Sequence, residues 1–365
     1  MPRMPHGAKS IFLLMAAVLV GACRSASAGS GTEGASFLDI PVGSIPASLG
    51  SAYTARATDA YAPVWNPAGL GFVDAVGVSA TELSYIQSMS YEYLGSVLPL
   101  GTSTHQGLGA SVQYLGSGNI TSRDELGNVT GNFSTTFAAY SLAYGLELSD
   151  AWSVGLTGKT ITESISDASA DAFAADIGTL YKVNDAITVG AVAANLGPAI
   201  KLVSESDPLP TAFRAGAYYQ FGYDWGVSSD IVYRKTGLFS ADAGLEWKYL
   251  GILALRAGVD SSHVNGLSAL SAFSAGVGIH LFGQEFNYAW VPYSDLGNAQ
   301  YFSLDFRFGG PPDEEKPHLK ETRNNPPPTP SEKNSSDSEY RYLNDMLSDT
   351  EKKAIPSDGT PKEQQ

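Results

Sequence analysis

The chain is patterned on a period of two. Near position 300, Phe302, Leu304, Phe306 and Phe308 alternate with Ser303, Asp305 and Arg307. Successive side chains of a β-strand point to opposite faces, so this stretch predicts a strand with one apolar and one polar face. The same alternation recurs over 213–220, 241–248, 253–260 and 273–280. There the second face mixes glycine with full charges, among them Asp242, Glu246, Lys248 and Arg256. Counting such segments gives about fourteen strands, starting near 76, 90, 106, 133, 151, 171, 186, 211, 225, 239, 252, 271, 285 and 300. Short connections at 101–106, 149–151, 183–186, 222–225, 249–252 and 282–285 alternate with others that include long ones at 117–132 and 196–210.

An even number of strands, with short turns at one end and longer loops at the other, is the arrangement of bacterial outer-membrane barrels. The pattern predicts an all-β fold: a transmembrane antiparallel β-barrel over residues 73–309, short turns on the periplasmic side. Aromatic residues at predicted strand ends are read as interfacial girdles: Tyr91, Tyr93, Trp152, Tyr181, Tyr223, Trp225, Tyr249, Trp290 and Tyr293. Amphipathic rings prefer the headgroup zone.

Composition fits this reading. Only 16% of the 365 residues are charged, against about 25% in soluble domains. Past the N-terminus no apolar run reaches the roughly 20 residues of a spanning helix, so strands must do any crossing. The formal charge of −15 speaks against a nucleic-acid partner, because phosphate binding needs clustered Lys and Arg.

The flanks differ from the wall. Arg3 and Lys9 accompany a short apolar run, Ile11–Val20, and Ala26-Ser27-Ala28 forms an A-x-A cleavage site. Residues 1–28 are therefore read as a signal peptide. Val20-Gly21-Ala22-Cys23 also resembles a lipobox that would lipidate Cys23, but cleavage after Ala28 is the preferred reading. Residues 29–35 read as a linker, and 36–72 do not alternate. Within them Ser48–Ala57 suits a short helix, and Asn66-Pro67-Ala68-Gly69-Leu70 suits an Asn-capped turn with Pro at its first position. Tethered just before the first strand, 36–72 are expected to fold into the lumen as a hatch. Residues 310–365, polar and proline-rich, are expected to form a disordered periplasmic tail.

Both ends of the predicted barrel resemble one family. FLDIPVG at 37–43, SLGSAYTARATDAYAPVWNPAGL at 48–70 and FNYAWVPYSDLGNAQYFSLDFRFG at 286–309 are similar to the opening and closing of the PorV/PorQ family, within the FadL-like group of outer-membrane proteins. The resemblance implies a fourteen-stranded barrel with an N-terminal hatch. It departs from the family pattern at Ser44-Ile45-Pro46 and Leu49-Gly50-Ser51. Asn66, Pro67, Ala68 and Gly69 match the group's hatch motif, read either as a gate element or as a turn locking the hatch to the wall. Phe302, Leu304, Phe306 and Phe308 match the closing strand, which implies the barrel assembly machinery as a partner.

Two functions follow from the resemblance. One is a type IX secretion role, holding exported surface proteins. The other is FadL-like passage of a hydrophobic small molecule, with Tyr53, Tyr61, Val64 and Trp65 as candidate apolar pocket residues. An outer-membrane hydrolase is the least supported reading. The five histidines have no metal-ligand spacing, and no nucleophile motif or P-loop is present, so no catalytic, metal or cofactor residue is assigned. The lumenal charges are expected to pair with one another and pack the hatch, since buried charges need partners.

Overall fold

The computed structural model describes residues 33–309, apart from 86–88, 102–104, 203, 205 and 265–267. The expected signal peptide, Cys23 and the tail at 310–365 lie outside the described residues. The strands are β1 (Val76–Ser84), β2 (Ser90–Pro99), β3 (Gln106–Gly116), β4 (Ile120–Arg123), β5 (Val129–Phe133), β6 (Thr135–Ser149), β7 (Trp152–Ile165) and β8 (Ala168–Asn184). They continue as β9 (Ile187–Leu196), β10 (Ala212–Phe221), β11 (Trp225–Arg234), β12 (Phe239–Tyr249), β13 (Leu253–Asp260), β14 (Phe273–Leu281), β15 (Gln284–Pro292) and β16 (Asn298–Phe308). All but β4 and β5 join a closed barrel of fourteen antiparallel strands, in which β16 pairs back onto β1 with Val78 opposite Phe306 and Ala80 opposite Leu304. Closure leaves no unpaired edge, which is what a sheet in lipid requires. Among the described residues no helix is long and apolar enough to cross a membrane.

Every wall strand begins within three residues of its predicted start. The stretch 117–132, read as an open loop, instead carries β4 and β5, a two-stranded hairpin outside the barrel sheet. Its residues are exposed on both faces, so no alternation in the sequence marks it.

The alternation sorts the side chains as expected. Leu94, Leu142, Phe173, Phe213, Leu255, Phe273 and Phe302 are exposed on the outer wall, while Ser111, Ser141, Asp230, Asp242, Glu246, Arg256 and Ser303 are buried within. Trp152, Tyr181, Tyr223, Trp225 and Tyr249 lie exposed toward the short-turn end. Tyr219, Phe221, Trp225, Trp247 and Tyr249 follow one another there at centroid spacings of 5.7 to 6.0 Å. Trp290 is half-buried. Tyr91, Tyr93 and Tyr293 do not belong to a girdle: they are 0%, 2% and 8% exposed. On β2 the pleat turns 91 and 93 inward; the Tyr91 hydroxyl donates to Gln113 of β3 at 3.1 Å, and Tyr93 meets the N-terminal segment. The Tyr93 hydroxyl donates to the Ala60 carbonyl at 2.6 Å, and its ring stacks on Tyr61 at 5.5 Å.

That segment fills the barrel. It runs through a 3-10 turn (Ser36–Asp39), α1 (Ser44–Ser48), α2 (Ala62–Trp65) and a second 3-10 turn (Pro67–Phe72). The helix expected over Ser48–Ala57 does not form; α1 ends where it was to begin. The chain turns at Gly50 and Ser51, with φ of 62° and 67°. The amides of Tyr53 and Thr54 then go to the Asp230 carboxylate on β11, at 3.1 and 2.9 Å. A wall acceptor takes the donors that a helix would have used internally.

Glycine decides where the segment sits. Gly107, Gly145, Gly155 and Gly178 lie directly opposite one another on β3, β6, β7 and β8. The turn from Asn66 to Gly71 lies on this track. A Cβ on Gly145 would come within 2.6 Å of the Gly71 nitrogen, on Gly155 it would overlap Pro67, and on Gly178 the Asn66 side chain. A second patch, Gly244, Gly258 and Gly276 on β12 to β14, receives Leu49, Gly50 and Ser48 in the same way.

Gly155→Val is expected to destabilise the barrel by about 1–3 kcal/mol or more, the usual result of overpacking. Gly158→Val, three residues along β7, is expected to be nearly neutral, because a Cβ there meets nothing within 4 Å. Denaturant midpoints of the folded form in detergent compare the two.

Candidate functional site

The motif Asn66-Pro67-Ala68-Gly69 is a knot between segment and wall. The Asn66 side chain accepts from the Ala68 amide at 3.1 Å, capping the Pro67–Phe72 turn. Its amide nitrogen donates to the Thr54 carbonyl at 2.9 Å and to the Thr179 carbonyl of β8 at 3.2 Å. The Ser153 hydroxyl of β7 donates to the Ala68 carbonyl at 2.5 Å. Gly69 packs on the backbone of Ala57 so closely that any side chain would collide with it. Asn66, Ala68 and Leu70 are 0% exposed, so every polar group in the turn needs these partners.

Tyr53, Tyr61 and Trp65 form an aromatic cluster, with Tyr53 centred 6.5 Å from Tyr61 and 5.9 Å from Trp65. All three are at most 3% exposed. The Tyr53 hydroxyl donates to Asp59, and burial pushes the Asp59 carboxyl up to about 6 against that hydrogen bond and one from the Tyr61 amide. Of the four residues named as an apolar pocket, Val64 and Trp65 line a cavity that Tyr53 and Tyr61 do not reach. This cavity, of about 230 Å³, lies between residues 36–42 and the wall strands β10 to β13. Its lining is mixed. Leu38, Val42, Val64 and Trp65 come from the segment; Arg214, Arg234, Asp242 and Asp260 come from the wall.

Of the charges foreseen inside the barrel, Glu246, Arg256 and Asp305 join in one chain of contacts, which Asp242 does not enter. Arg56 of the segment donates to Glu246 at 2.7 Å, and Arg256 donates to the other Glu246 oxygen at 2.7 Å. Arg256 continues to Glu285 at 2.7 Å and to Asn287 at 2.6 Å, and Asn287 donates to Asp305 at 2.8 Å. Arg56 also lies 5.2 Å from the Tyr218 ring centre. Burial disfavours its charge, yet Glu246 holds the guanidinium pKa above its ordinary value. Arg234 and Asp39 make a second tie at 3.1 Å, and the Ala35 amide donates to Glu163 at 2.9 Å. The sequence reading had the wall charges but gave Arg56 and Asp39 no role. Both stand in a segment without periodicity to say which way a side chain points.

Phe302, Leu304 and Phe308 are exposed on the lipid-facing side of β16, with Phe306 half-buried beside them. Among the described residues no group of three or more His, Cys, Asp or Glu side chains is placed to hold a metal ion.

The arrangement is a closed outer wall with an N-terminal segment bonded to its inner face. Sequence comparison matches residues 25–230 to the family described as type IX secretion system protein PorV, more than half of the 365-residue chain. The chain belongs to the PorV family. No curated protein matches the sequence. Among solved structures this PorV-family barrel is similar to the CymD monoaromatic hydrocarbon channel, at 12% identity and a TM-score of 0.52, covering 73% of this chain and 96% of that one. It is also similar to the Pseudomonas putida toluene transporter TodX, at 14% identity and a TM-score of 0.50, covering 73% and 98%. At such identities the likeness is one of fold, the FadL-like outer-membrane barrel. The PorV-family chain is thus an outer-membrane barrel of type IX secretion type.

Glu246 is 1% exposed and faces two arginines. Glu246→Gln would leave Arg56 without its counter-charge and Arg256 with Glu285 alone. Breaking a buried pair this way costs about 3–5 kcal/mol. The expected outcome is a barrel whose folded, heat-modifiable band is lost at much lower urea than the parent's.

Proposed function

We propose that this type IX secretion barrel holds exported proteins at the cell surface through its long-loop end. The lumenal segment supports this reading: it is bonded to strands around the barrel, so the lumen is occupied and the outward elements are left for a large partner. The most prominent is the β4–β5 hairpin, where Leu126 is 86% and Val129 60% exposed. Apolar groups held in water on a projecting hairpin are what a protein partner would cover. In this reading residues 1–28 direct export, Cys23 is removed with them, 36–72 act as the hatch, and 310–365 face the periplasm. The closing strand with Phe302, Leu304, Phe306 and Phe308 is what the barrel assembly machinery engages.

The second reading is passage of a hydrophobic small molecule. The FadL-like fold supports it, and so does the exposure of Val64 and Trp65 to a cavity beside the hatch. The charged groups in that cavity weigh against an apolar cargo, because desolvating them for it is unfavourable.

Purification from native membranes tests the first reading. Large secreted proteins are expected to co-purify with the intact barrel, and to be lost when residues 119–132 are replaced by a short turn while the barrel stays folded. Uptake of labelled toluene or fatty acid into liposomes, with no protein co-purifying, would instead establish the second.

A further inference from the structure

Three side chains lining the cavity beside the hatch carry a buried polar atom without a partner: Asp39, whose other oxygen takes Arg234, and Asp242 and Arg214, which have no ion pair among the described residues to answer them. Asp242 is 4% exposed and lines the cavity, yet its Oδ1 has no hydrogen-bond partner. Its neighbours across the sheet are Asp230 on β11 and Asp260 on β13. Asp260 takes the Ser262 amide and hydroxyl at 2.8 and 2.6 Å, and one Asp230 oxygen takes the Tyr53 and Thr54 amides; the other Asp230 oxygen is also without a partner, but Asp230 does not line the cavity. On the same wall, two strands away, Arg214 lies against the Trp65 ring, 4.9 Å from its centre, and its Nε has no partner. Arg234, the other cation of the cavity, is committed to Asp39.

An acceptor oxygen without a partner among carboxylates favours a cationic donor, and a guanidinium with an unanswered Nε–H favours an anion. Arg214 and Asp242 stand on β10 and β12, with β11 between them. Neighbouring strands lie about 4.8 Å apart, and Arg214 is level with Ser240, two residues of about 3.4 Å from Asp242, so the two anchor points are about 12 Å apart at the backbone. Between them the cavity is bordered by Val64, Trp65 and Val232. Its 230 Å³ is below the roughly 300 Å³ at which drug-sized sites begin.

The geometry points to a binding site for a small zwitterion. Its ammonium group bonds to Asp242, its carboxylate bonds to Arg214, and a short apolar link lies against Val64, Trp65 and Val232. The site is independent of the secretion reading, since neither the hairpin nor an exported protein takes part. It also differs from a hydrophobic-cargo site, because an uncharged or singly charged ligand leaves one of the two groups unanswered.

The test uses the full barrel in detergent and three probes of similar length: 6-aminohexanoate, hexylamine and hexanoate, with affinities from calorimetry. The zwitterion is expected to bind roughly tenfold or more tighter than either singly charged probe. Asp242→Asn should remove its advantage over hexanoate, and Arg214→Gln its advantage over hexylamine. Val64→Trp, a change at a half-buried position that narrows the cavity without touching either charge, should weaken 6-aminohexanoate in a barrel that remains heat-modifiable. Hexanoate binding as tightly as 6-aminohexanoate would overturn the proposal in favour of a simple acid site. Absence of binding, or binding unchanged in all three variants, would overturn it outright.

Discussion

Four glycines aligned across four strands allow this barrel to be filled by its own N-terminus. Where Gly107, Gly145, Gly155 and Gly178 face the lumen, the wall has no side chains and the Asn66–Gly71 turn rests almost backbone to backbone on it. Everything else in the lumen depends on that seating. It brings Asn66 within reach of the Thr179 carbonyl, Ala68 within reach of Ser153, and the aromatic cluster of Tyr53, Tyr61 and Trp65 against Tyr93. A close-packed interior has no room to move such a turn outward by the width of a methyl group.

Seating alone would leave charges buried on both surfaces. The lumen answers with pairs that cross from segment to wall: Arg56 to Glu246, Asp39 to Arg234, and the Ala35 amide to Glu163. Such pairs are weak evidence for stability, since desolvation opposes the Coulomb gain. Their value is in position. Glu246 lies between Arg56 and Arg256, and the chain runs on through Asn287 to Asp305. Sliding the segment would break several buried contacts at once.

The consequence for function is a division between inside and outside. The inside is largely committed to the segment, with a small polar cavity at its edge. The outside presents apolar residues to lipid along the wall, and at the long-loop end a hairpin whose apolar side chains meet water. The proposed hold on large exported proteins would call on such an outer surface more than on an open channel. The FadL-like wall, shared at the level of fold with hydrocarbon channels, supplies the frame.

The sequence by itself determined the wall. Period-two alternation follows from strand geometry, and a barrel with lipid on one side and a packed lumen on the other cannot be built without it. That is why the strand starts, the closing strand and the inward placement of Asp242, Glu246 and Arg256 were legible, together with the Asn66 cap, whose chemistry is local. Tertiary structure decided the rest. Tyr91 and Tyr93 turned inward because strand phase and the lumenal segment outweighed any preference of tyrosine for an interface. Ser48–Ala57 did not become a helix because Asp230, far away in sequence, took its amides. The glycine track was invisible because its members are far apart in sequence and meet only when the strands pair in register. The cavity between Arg214 and Asp242 is likewise a product of packing: no local pattern says which buried group will be left without a partner.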